Sequence, residues 1–191
     1  PAARGPGGRP PRVPYYIVMG NHETKWSDSG CMAWKDIFGY ERFEFEYQGV
    51  HFLGFNTGPL MRMAYGHVVA QDLAWLKERL DSYPKDEPVI IVTHYPLLKG
   101  DVDNWYEVTD LLRHYNVRLC IGGHYHSMCN HSYDGIPGVL LRSNIREHDT
   151  GTGFGLYEVT RDSISLTVMN SLTPPARFAS YAMRGPIRDK D

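Results

Sequence analysis

The chain has 191 residues, 42% hydrophobic and 22% charged, with a formal net charge of −2. That length and balance suit one domain with a sizeable core, and the near-zero charge removes any global case for nucleic acid or an anionic membrane as partner. No apolar run approaches the ~20 residues of a transmembrane segment, so a soluble protein is expected; three cysteines and a first residue Pro1 leave compartment and any signal peptide open.

The first segment, 1–14, holds five Pro, three Gly and three Arg with no acid. It has no apolar period and is expected to be a disordered or extended tail. Tyr15 to Met19, "YYIVM", is short, apolar and β-branched, which predicts a strand buried on both faces. "CMAWKDIFG" predicts a short helix ending at Gly39. In "ERFEFEYQGVHFLGFNT" the aromatic and acidic residues alternate and Gly49 marks a turn, so a hairpin follows. "AQDLAWLKERLDSYP" predicts an amphipathic helix with Leu73, Leu76 and Leu80 on one face. "PVIIVT", Pro88 to Thr93, is a second buried strand. "NWYEVTDLLRHYN" predicts another helix and "VRLCIG", Val117 to Gly122, a third buried strand with Cys120 inside it. The remainder is β-rich: "GVLLRS", then "GFGLYEV" and "SISLTVM" around Arg161-Asp162. Helices alternating with apolar strands argue an α/β domain, with the half-polar strands forming edges or a second sheet. One domain is expected over 15–170, with 171–191 as an extension.

The three apolar strands end alike. "YYIVM" leads to Asn21-His22, "PVIIVT" to His94, and "VRLCIGG" to His124-Tyr125-His126. Open α/β sheets bind ligands at the carboxyl ends of their strands, so parallel pairing would gather these groups. His124 and His126 share a side if their segment is extended, with Gly122-Gly123 allowing a tight turn before them. Taken alone, "GNH" and His94 read more simply as a turn and a loop with a surface histidine, and only "GGHYH" reads equally well either way. Together, imidazoles and an amide at three equivalent strand ends point to a metal site.

These residues resemble the calcineurin-like metallophosphoesterase family. That family carries D-x-H, G-D-x-x-D, G-N-H-[DE], a His after a buried strand, and G-H-x-H along an α/β sandwich. "GNHE" at 20–23, "THYP" at 93–96 and "GGHYH" at 122–126 are similar to the last three, in the same order and strand context. The resemblance implies a β-sandwich flanked by helices and a two-metal phosphoester hydrolysis, in which the ions clamp the phosphate and supply a hydroxide nucleophile. It implies Asn21, His94 and His124 on one metal and His126 on the other. His22 would contact the phosphate or act as catalytic acid, with Glu23 orienting it. The implied ions are zinc, iron or manganese, divalent or trivalent.

The first two family motifs are absent before "GNHE", where Glu23 is the first acid in the sequence. One amide and three neutral imidazoles carry no negative charge. Two divalent ions ~4 Å apart repel by ~16 kcal/mol at an effective dielectric near ~20, so one metal is expected here rather than two. The domain is therefore read as lacking its N-terminal strands, as the C-terminal part of a larger, truncated enzyme. The alternative is a catalytically incomplete or dead domain kept as a binding or scaffold module. A mononuclear zinc hydrolase, with Glu23 or His148 completing the shell, is a third. Asp101 and Asp103 are further acids, but nothing in their spacing places them at the site. Arg142, Asn144 and His148 are candidate substrate contacts, as are Trp105 and Tyr106, although Tyr106 is expected to pack its helix. The implied substrate is a small-molecule phosphoester or a phosphoprotein; oligomeric state is left open.

Overall fold

A computed structural model describes residues 13–29, 31–59, 64–144 and 151–185. Among these residues the chain forms two sheets, three α-helices and one π-helical turn. The larger sheet contains β1 (Phe43–Tyr47), β2 (Val50–Gly54), β3 (Val89–Val92), β4 (Val117–Gly122), β5 (Cys129–Tyr133) and β6 (Ile136–Leu140). Their spatial order is β1-β2-β3-β4-β6-β5. β2, β3, β4 and β6 run parallel, while β1 and β5 pair antiparallel at the two edges. The smaller sheet stacks β7 (Gly153–Val159), β8 (Ser163–Asn170) and β9 (Ala176–Ala182) in antiparallel order.

Parallel neighbours need a crossover, and helices supply it. α2 (Ala70–Ser82) joins β2 to β3, and α3 (Trp105–Leu112) joins β3 to β4. A shorter helix, α1 (Met32–Phe38), ends at Gly39, whose φ of 80° makes the left-handed cap that the sequence predicts.

Alternation within the parallel strands divides the core in two. Leu53, Val89, Ile91 and Cys120 face the helices and pack with Leu76, Leu80, Val108 and Leu112. Phe52, Ile90 and Leu119 face the second sheet and pack with Ile164 and Leu166 of β8. Continuous apolar runs thus mark strands covered on both sides. One irregularity interrupts this alternation. Val89 pairs with Val117 and Ile90 with Leu119, so Arg118 is an extra residue bulged out of β4.

The predicted strand at Tyr15 to Met19 does not form: among the described residues the segment pairs with no strand. It is held by side chains instead. Tyr16, Ile17 and Val18 pack on Tyr40, Phe43, Phe45 and Val92. The Ile17 N–H donates to the Tyr40 hydroxyl at 2.9 Å. The expected burial on both faces is met only at Met19: Tyr15 is exposed and Tyr16, Ile17 and Val18 are half-buried, because one side of the segment packs and the other has no cover among the described residues. Two strands escaped the sequence reading. β5, "CNHSY", is polar on alternate positions, as an edge strand can be. β9 lies within 171–191, so residues 176–182 of that expected extension are a strand of the second sheet. No helix is long and apolar enough to cross a membrane among the described residues.

Candidate metal and phosphoester site

The carboxyl ends of β3 and β4 lie side by side, and each hands over directly to a histidine. The Thr93 N–H donates to the Ile121 carbonyl at 2.9 Å, and the Gly123 N–H to the His94 carbonyl at 3.0 Å. The ladder therefore continues one step past the strands and fixes the His94 backbone against the "GGHYH" loop. The two imidazoles lie 5.4 Å apart, centroid to centroid, at 71°. His94 Nε2–H donates to Asn21 Oδ1 at 2.8 Å, across 73 residues of sequence. Three motifs from separate parts of the chain thus meet.

The glycines serve this meeting differently from the expectation. A Cβ on Gly20 would stand 3.0 Å from three atoms of the His94 ring, so Gly20 permits close approach rather than an unusual turn. Asn21 then opens a single π-helical turn, His22–Trp26, in which Thr24 Oγ1 donates back to the Gly20 carbonyl at 3.2 Å. The Glu23 carboxylate accepts the Gly20 N–H at 2.8 Å. In the other loop the unusual backbone belongs to the histidines themselves, with φ of 73° at His124 and 57° at His126. The segment is bent, not extended, so the simple same-side rule does not apply to these two residues. Left-handed backbone at a non-glycine residue costs on the order of 1–2 kcal/mol and clusters at functional sites.

Burial and neighbouring cations set the charge state. Burial pushes the His94 imidazole down to about 4, with His124, His22 and His126 adding to the effect and Glu23 opposing it. His124 is also pushed down, chiefly by burial, with Asp101 pulling the other way. His94 is therefore neutral at pH 7, which is the form that can ligate a metal. His22 and His126 are exposed, while His94 and His124 are half-buried.

The sequence-predicted residues divide into three groups. Asn21, His22, Glu23, His94, His124 and His126 are neighbours, by direct contact or by the reach of their charges. Asn144 is engaged elsewhere: its Oδ1 accepts the Gly153 N–H at 2.8 Å. Arg142 donates to the Gly151 carbonyl. His148 lies outside the described residues. Of the two further acids, Asp101 accepts the Tyr125 hydroxyl beside His124, whereas Asp103 pairs with His67 at 2.7 Å. Trp105 packs against the helix-side core. Tyr106 is half exposed, contrary to the packing expected of it.

Sequence reading missed Tyr95 and Thr57. Tyr95 is 4% exposed, and its ring lies 3.9 Å from that of His124. Its N–H donates to Thr57 Oγ1 at 2.9 Å, and its carbonyl accepts from Thr93 Oγ1 at 3.0 Å. Thr57 follows β2, so it too stands just past the end of a parallel strand. The signal was available: the rule that selects His94 and His124 also selects Asn56-Thr57 once β2 is known to run parallel to β3.

The donor chemistry fits a metal. An amide oxygen and neutral imidazoles are ordinary ligands for zinc and related ions. A metal held by both Asn21 and His94 would replace their mutual hydrogen bond. Among the described residues, no three side chains of His, Cys, Asp or Glu converge as a ready metal cluster. The nearest acids are bonded to protein, Glu23 to the Gly20 amide and Asp101 to the Tyr125 hydroxyl.

The parallel-centred sheet with histidines at its strand ends is consistent with a phosphoesterase fold, and the comparison with known families gives the class. This chain belongs to the calcineurin-like phosphoesterases, whose family model matches residues 3–128. The chain is 24% identical over 160 residues to the uncharacterised protein YvnB of Bacillus subtilis (strain 168), a match covering 73% of this chain and 12% of that protein. It thus spans about an eighth of the length of this curated relative. Among solved structures, it is similar to GAP50, the anchor in the inner membrane complex of Plasmodium. There the TM-score is 0.48 at 15% identity, covering 71% of this chain and 52% of the other. A Staphylococcus aureus protein described as a 5'-nucleotidase gives a TM-score of 0.41 at 12% identity, covering 91% of this chain and 38% of the other.

Proposed function

We propose that this chain carries the imidazole side of a metal-dependent phosphoester hydrolase site. The observation that supports the reading best is the meeting of Asn21, His94 and His124 at the strand ends, with His94 held neutral by burial. In this reading Asn21, His94 and His124 hold one ion, zinc, iron or manganese, and His126 belongs to a second. A bound metal would supply Lewis acidity and a water-derived nucleophile at neutral pH. His22, exposed on the first turn after Asn21, contacts the phosphate and protonates or stabilises the leaving oxygen, with Glu23 beside it. Substrates are small-molecule phosphoesters or phosphoproteins.

The donor set supports one further step. Neutral ligands leave the repulsion between two cations uncompensated. The two acids nearest the cluster are already bonded to protein groups. In this reading a second ion needs carboxylates beyond these two acids. The same observation favours a second reading, in which this chain alone is catalytically incomplete and serves as a binding or scaffold module.

One experiment separates them. Bound metal and hydrolysis of an aryl phosphate are measured for this chain and for a version extended upstream. The first reading expects zinc bound to the short chain, lost in His94→Ala, and turnover only in the extended chain. Metal binding without turnover in either form supports the scaffold module. Equal zinc binding by wild type and His94→Ala sinks the assigned ligand set.

A further inference from the structure

We propose that a basic cavity at the amino-terminal ends of β2, β3 and β4 binds a small organic oxyanion, at a site separate from the histidine cluster. The cavity measures about 730 Å³ and opens where the two sheets meet, at the opposite end of the strands that carry His94 and His124. That volume takes a molecule of metabolite size rather than a single small ion.

Its charge is net positive. Among the described residues that line it, Lys85, Arg118, Arg161 and Arg184 face two acids, Asp86 and Glu87. Glu87 is engaged by His51 at 2.5 Å, and Arg184 is matched by Asp162 at 2.8 Å. Lys85 and Arg161 are exposed at the rim, one before β3 and the other in the β7–β8 turn.

Arg118 makes this a built site rather than a scatter of surface charges. It is 5% exposed, and it is the residue bulged out of β4. Without the bulge, strict alternation could not place Val117 on the helix side and Leu119 on the second-sheet side with a residue between them. The bulge frees one position from the pleat and turns its side chain to the strand end, a common use of bulges beside functional sites. Its guanidinium is oriented by donation to the Gly185 carbonyl at the cavity wall. A planar guanidinium held in a partly enclosed, low-dielectric setting suits carboxylate and phosphate oxygens, and the two rim cations extend the same preference.

The test is calorimetric titration of the full chain, stripped of metal and then dialysed free of chelator, at low ionic strength, with pyrophosphate and with citrate. One site is expected, weakened at least about tenfold in the Lys85→Gln/Arg161→Gln double variant, with an unchanged melting temperature. Binding is expected to survive in His94→Ala. Tighter pyrophosphate marks a phosphate ligand and tighter citrate a carboxylate ligand, and either supports the site. The rim pair carries the test because Arg118→Met alters a buried position and can unfold the chain. Three results would overturn the proposal: no binding at millimolar anion, equal affinity in wild type and double variant, or loss of binding in His94→Ala.

Discussion

Two arms meet at the contact between His94 and Asn21, and they are built by different physics. The arm carrying His94 and His124 grows out of β3 and β4, central strands with neighbours on both sides and with Ile90, Ile91 and Leu119 fully buried. The arm carrying Asn21, His22 and Glu23 follows a segment with no ladder partner among the described residues. It is fastened by one backbone hydrogen bond to Tyr40 and by Tyr16 stacked on Phe45 at 4.7 Å. A ladder fixes every second backbone group, whereas side-chain packing fixes a few points. The site is thus as rigid as its second arm, and local opening should begin there.

The largest effect should come from the first arm. Ile91→Ala removes a fully buried side chain from β3 and is expected to lower global stability by ~2–5 kcal/mol in urea unfolding. A loss below ~1 kcal/mol would remove the contrast between the arms. Thr57→Val keeps the shape but deprives the buried Tyr95 N–H of its acceptor, so a loss of ~1–3 kcal/mol is expected. Part of it should be visible as a shift of the His124 ring resonances, since Tyr95 lies against that ring.

Gly20→Ala acts at the junction. The new Cβ meets the His94 ring at 3.0 Å and must push it or its own segment away. Stability should fall by ~1–3 kcal/mol, and the ring resonances of His94 should move more than those of His124. The smallest effect belongs to the second arm. Tyr40→Phe should cost ~0.5–1.5 kcal/mol and speed amide exchange at Ile17 while leaving exchange at Ile91 unchanged. Equal acceleration at both amides would mean that the arms open together.

The same contrast explains what could be read from sequence. α2, α3, β3 and β4 were legible because each buries a periodic or continuous apolar run within its own residues. His94 and His124 were legible because each directly follows such a strand. Tyr15 to Met19 misled because a short apolar run can pack by one side on neighbouring rings and fix neither a ladder partner nor full burial. β5 was missed because alternating polar residues make a weak signal. Tyr95 and Thr57 were missed for another reason: their bond joins two loops 38 residues apart and depends on β2 and β3 being neighbours. The left-handed backbone of His124 and His126 was also out of reach, since local preference at those positions favours glycine or asparagine. The bulge that gives Arg118 its place in an apolar strand has no signal in the sequence.

The separation of 73 positions between Asn21 and His94 also has a consequence in time. β2, β3 and β4 assemble through two successive crossovers, each a modest loop closed by many ladder bonds. The Asn21 arm closes a longer loop and wins far fewer contacts for it, a poor exchange of chain entropy for enthalpy. It is therefore expected to dock last in folding and to leave first in unfolding. A chain can then have its sheet complete and two histidines in position while its site does not yet exist.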